Sequence, residues 1–157
     1  MTTSDLTMKM ATFGIAPGDV DVVRTHVALL EARVPDMVAA YYAHLGTTDL
    51  APLMRSATIT TLEETRIAHW RLLLRGDFAA IREHYSERLG PRLVDGGFPR
   101  TIHALAAEWF AVEFARIVET IPEIPRTIRP RLRTALTRFA FLDLALALST
   151  HDVAWLD

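Results

Sequence analysis

The stretch from His69 to Pro99 leaves this chain few folding options. Gly76, Gly90-Pro91 and Gly96-Gly97 punctuate it, and Phe78, Ile81, Tyr85 and Leu89 recur between them at helical spacing. Glycine ends a helix cheaply because it enters the left-handed region without strain. The spacing therefore predicts a helix stopping at Gly76 and a second one capped by the Asp77 carboxylate. A glycine turn then leads through Pro99 into a third. Residue 90, standing before a proline, is expected to interrupt the second helix, with Leu93 beyond it pointing inward. No stretch carries a convincing strand pattern.

The flanking segments read the same way. Residues 1–12 are expected to be an arm or a loose first turn. Val20, Val23, Val27, Leu30 and Val34 predict one helix from Pro17 or Asp19 to about Arg33, with His26 beside its apolar stripe. Pro35 opens the next, whose face is Val38, Tyr41, Tyr42 and Leu45 and whose stop is Gly46. Asp49 to Arg55 suits a short helix or turn. Thr61 and Glu64 fit a capping box for a helix running to Arg75. Pro99 opens a long helix to about Thr120, and another runs from about Pro130 to His151. Both are apolar around most of their circumference, so each is buried or pairs with a second chain. Asp143, inside the last run, needs a partner, because an unpaired buried carboxylate is costly. Arg126, Arg129, Arg131, Arg133 and Arg138 read as a solvated linker and helix face.

Composition narrows the function. A chain of 157 residues suits one domain, and a net charge of −2 gives no reason to expect nucleic acid or an anionic membrane as partner. The lack of cysteine removes disulfides, thiolate zinc sites and cysteine haem ligation together. The apolar run Phe139 to Leu148 is too short to span a bilayer, and the polar N-terminus predicts a cytoplasmic protein. Metal-protease pairs, nucleophile elbows and glycine-rich phosphate loops do not occur, so an enzyme is not expected. His84 and Glu87, three apart, read as a solvated face.

Four motifs together resemble one family. His69-Trp70 stands ahead of Gly76-Asp77-Phe78, and Arg88-Leu89-Gly90-Pro91-Arg92-Leu93 follows. Pro35 precedes the Tyr41-Tyr42-x-x-Leu45 pattern, and Leu142-Asp143-Leu144-Ala145 closes the chain. This order is similar to the globin domain of globin-coupled sensors and single-domain sensor globins. The resemblance implies an all-α sensor-type globin fold over residues 13–157, after the arm. It also implies a homodimer in which the last two long helices form a four-helix bundle. The cofactor it implies is haem, taking a diatomic gas such as oxygen, with Tyr42 as the distal tyrosine. The family's proximal histidine falls at Leu93. Its aromatic pair at the start of the next helix is also replaced, leaving His103 as the new histidine nearby. The candidate pocket positions are thus Tyr42, His69, Leu93 and His103, and an iron ligand would be His103, His69 or Tyr42. Two readings stay open: an atypical haem-based gas sensor, or a haem-free globin module that binds another apolar ligand or only protein partners.

Overall fold

The computed structural model describes residues 3–55 and 59–153. The protein is all-α, and among the described residues there is no strand. In chain order the helices are α1 (Thr3–Thr12), α2 (Pro17–Thr25), α3 (Val27–Glu31), α4 (Val34–Leu45), α5 (Ile59–Leu74), α6 (Phe78–His84), α7 (Gly90–Asp95), α8 (Ile102–Thr120) and α9 (Arg129–Val153). A 3-10 turn, Ala51–Arg55, lies between α4 and α5. None of the described helices is long and apolar enough to cross a membrane.

Several local expectations hold, and the departures have physical causes. Gly76 takes φ +71° at the end of α5. Asp77 Oδ1 accepts from the Ala80 amide at 3.2 Å, capping α6. The segment read as an arm forms α1. The single helix read over 17–33 breaks at His26, where the backbone turns to φ −107°, ψ 12° and the imidazole Nδ1 bonds the Val22 carbonyl at 2.8 Å. Thr61 already lies within α5, so no capping box forms there; its carbonyl instead accepts from Thr65 and Arg92.

Gly90-Pro91 does not interrupt the helix. A π-helical turn, Tyr85–Leu89, joins α6 to α7, and the Gly90 amide reaches back to the Tyr85 carbonyl. The wider turn accommodates the proline ring and its missing N–H. Glycine is required before it, since a Cβ at residue 90 would stand 2.9 Å from the Tyr85 oxygen. Continuity through Pro91 carries Leu93 into the core.

α8 packs most extensively on α9; α2 and α6 lie against α9, α4 against α8, and α5 against α4. Trp70 of α5 lies 4.9 Å from Phe110 and 4.8 Å from Phe114 between ring centres, while Tyr41 of α4 lies 5.1 Å from Phe110. Phe78 meets Phe139 edge-on at 5.0 Å. Such pairs contribute about 0.5–1.5 kcal/mol each beyond their area burial. The arginines after α8 are not merely solvated. Arg129 donates to the carbonyls of Glu119, Ile121 and Ile124, closing the C-terminal end of α8, and Arg133 pairs with Glu119 at 2.8 Å. A cation there meets the negative end of the helix dipole.

Phe114 is wholly buried and Val94 is exposed. Phe114→Ala is expected to cost about 3–5 kcal/mol by urea unfolding, and Val94→Ala, at an exposed position of α7, no more than about 0.5 kcal/mol. Equal losses would contradict this assignment of burial.

Candidate ligand pocket

α5 aims its chemistry inward. Arg66, His69 and Trp70 sit at i, i+3 and i+4, so they share one face, and all three are buried with Leu62 and Leu73. The polar side chains they meet come from α4, α6, the π-helical turn and α9, and the rings of Phe110 and Phe114 from α8.

His69 has no exposed surface, and both its ring nitrogens are engaged. Nε2 lies 2.6 Å from Asp143 Oδ1 on α9, and Nδ1 lies 3.2 Å from His84 Nδ1 on α6. The pairing assigns the Nε2 proton to His69, donated to the Asp143 carboxylate. Burial drives the His84 pKa down to about 4, with the positive fields of His69, Arg88 and Arg92 adding to it and Asp143 opposing. His84 is therefore neutral at pH 7, and one proton sits between the two Nδ1 atoms. Read from sequence as a solvated face, His84 is half-buried against His69. Among the described residues no three histidine, aspartate or glutamate side chains form a metal cage.

The second polar pair lies beside Leu93. His103 of α8 is buried, and its Nε2 is 2.8 Å from the Tyr85 hydroxyl. Burial holds the Tyr85 hydroxyl well above its ordinary pKa, so it stays protonated. Leu93 and His103 also share the wall of a cavity of about 220 Å³ with Phe98 and Ile102. Leu93 itself is packed into the core.

Tyr42, the expected distal tyrosine, is buried on α4, 5.1 Å from the Tyr41 ring. It supports the charge of Arg66 by its field and by hydrogen bonding, while the Tyr41 hydroxyl and Trp70 Nε1 have no hydrogen-bond partner. Burial, against the pull of Arg66, raises the Tyr41 pKa to about 12, so this hydroxyl too is neutral. Sequence reasoning missed Arg66. The available signal was an arginine four residues before Trp70, at a position the helix turns inward.

This donor set does not fit a haem iron held in the way the resemblance implies. Iron in globins is gripped by a neutral imidazole nitrogen. Residue 93 offers carbon alone. His69 spends both nitrogens on Asp143 and His84, and His103 is bonded to Tyr85.

The His84 shift sets a pH dependence. Its folded pKa, about 4, lies below the unfolded value of 6.5. Between these values the unfolded chain binds a proton that the folded chain refuses, so stability falls as pH drops from 6.5 towards 4. Melting curves across that window are expected to show a shallower pH slope in His84→Gln than in the wild type; identical slopes would contradict the buried pairing.

Comparison with protein-family models matches residues 2–153 to the protoglobin family. No curated protein matches the chain.

Proposed function

We propose that this chain, which belongs to the protoglobin family, is a sensory globin domain whose responsive element is a buried polar core rather than an iron at the usual proximal position. Globins typically carry haem, and the family's haem-based gas sensing is the background against which this chain departs. The single observation that carries the reading is Leu93: an aliphatic side chain packed where the family resemblance puts the iron-gripping histidine. The engagement of His69 on both sides supports it. No catalytic role is part of the reading.

A second reading, an atypical haem-based sensor of oxygen or another diatomic gas, is favoured by one observation. His103 lies with Leu93 on the wall of the 220 Å³ cavity. In that reading His103 would hold the iron and the Tyr42 hydroxyl would face the gas. Haemin titration of the purified protein, followed at the Soret band, separates the two. We expect a broad band with no stoichiometric endpoint, the same in wild type and His103→Ala. A sharp, one-to-one ligated spectrum lost in His103→Ala would overturn the first reading and establish the second.

Signal output is proposed to pass through a homodimer formed by α8 and α9. What supports this is the spacing of exposed apolar residues. Leu105 and Val112 are seven apart on α8, and Phe141 and Leu148 are seven apart on α9. Seven-residue spacing keeps each pair on one helix face, the pattern of a helix–helix seam. Sedimentation at micromolar concentration is expected to give a dimer that Val112→Glu with Phe141→Glu converts to a folded monomer. A wild-type monomer would contradict the interface.

A further inference from the structure

The cleft beside Leu93 is built by two helices that meet next to the π-helical turn. α7 contributes Leu93 and Val94, and α8 contributes Ile102 and His103. Phe98, from the turn between them, completes the apolar wall. Leu93 and Ile102 are buried and form its inner side. Val94 stands at the rim with 62 % of its surface exposed, so a small molecule enters from solvent. The volume, about 220 Å³, exceeds the roughly 150 Å³ of an apolar protein cavity that takes benzene.

The polar groups say what charge the occupant carries. Among the described residues no carboxylate lines the cleft, so a cation finds no counter-charge there. Arg100 lies on its exposed side, where water already solvates the guanidinium and screens it from an anion. His103 is buried, and its Nε2 lies 2.8 Å from the Tyr85 hydroxyl. A neutral occupant suits such a wall. Two side chains favour a flat one: the Phe98 ring pairs with another ring, and the Arg100 cation is attracted to a π face.

We infer that this cleft is the sensory ligand site, and that it takes a neutral aromatic molecule of one or two fused rings. This rests on the haem-free reading of the core and deepens it by naming the ligand class. The occupant touches α7 and α8 together. On α8 it meets His103, whose partner Tyr85 is the first residue of the π-helical turn. Single π-helical turns within α-helices occur frequently at functional sites. Here the turn sets how α7 follows α6, and His84, the residue before it, is bonded to His69. Occupancy is thus felt in the buried polar core.

The test is a titration of the full chain with indole, in the absence of haemin, followed by NMR of the side-chain methyls and tyrosine rings. We expect saturating shifts confined to Leu93, Val94, Ile102 and Tyr85, with a dissociation constant of about 10–100 µM. Cyclohexanol, which has no π face, should bind about tenfold more weakly, as should benzoate and benzylammonium. Val94→Trp adds, from an exposed position, a side chain large enough to fill the cleft. It should leave the melting temperature unchanged and weaken indole binding more than about tenfold. Phe98→Leu keeps the wall apolar without its ring and should weaken binding about three- to tenfold. Shifts that do not saturate, wild-type affinity in both variants, or tighter binding of either charged compound would overturn the site while leaving the haem-free reading intact. One-to-one haem ligation in the titration above would overturn that reading itself.

Discussion

One hydrogen bond crosses the whole protein: the 2.6 Å contact between His69 of α5 and Asp143 of α9. It joins residues 74 positions apart and ties α5 to α9. Asp143 lies in an apolar stretch of α9, Phe139 to Leu148, where it is partly exposed and pairs with His69. His69 in turn holds His84, and through it the start of the π-helical turn. A buried polar network is stabilising only when its members are satisfied, and it then fixes one arrangement of the helices around it. Here it locks α5, α6 and α9 into a single register.

The same bond bears on the cofactor. His69-Trp70 resembles the motif of gas-sensing relatives, yet its imidazole is spent on Asp143 and His84. The Tyr85–His103 pair does the same beside Leu93. Nitrogen atoms that a haem protein would leave available for iron are here built into the scaffold. A further buried polar cluster, Arg66 with Tyr41 and Tyr42, joins α4 to the neighbouring turn of α5.

Much of this fold was legible from residue spacing. Gly76 and Asp77 marked a helix stop and a cap, and the apolar circumference of 102–118 and 132–148 announced the central pair α8 and α9. The need of Asp143 for a partner followed from its place in that run, though not the partner's identity, which depends on a contact 74 positions away. Other features left no local trace. Gly90-Pro91 reads as a break because periodicity assumes an α-helix, whereas a π-helical turn absorbs the proline. His26 breaks a helix through its own side chain, which no apolar pattern records. Arg66 was passed over because arginine on a helix is almost always solvent-facing; only the packed fold reveals that its turn faces inward.

The central claim is that His69 is a structural imidazole bonded to Asp143 and not an iron ligand. Nitrogen-15 NMR of the histidine side chains tests it most directly, on the protein as purified at pH 7. We expect His69 to show a protonated Nε2 whose hydrogen exchanges slowly with water, and Asp143→Asn to speed that exchange and shift the resonance. An averaged His69 tautomer in fast exchange, or His69 and His103 signals displaced by a nearby paramagnetic metal, would contradict it.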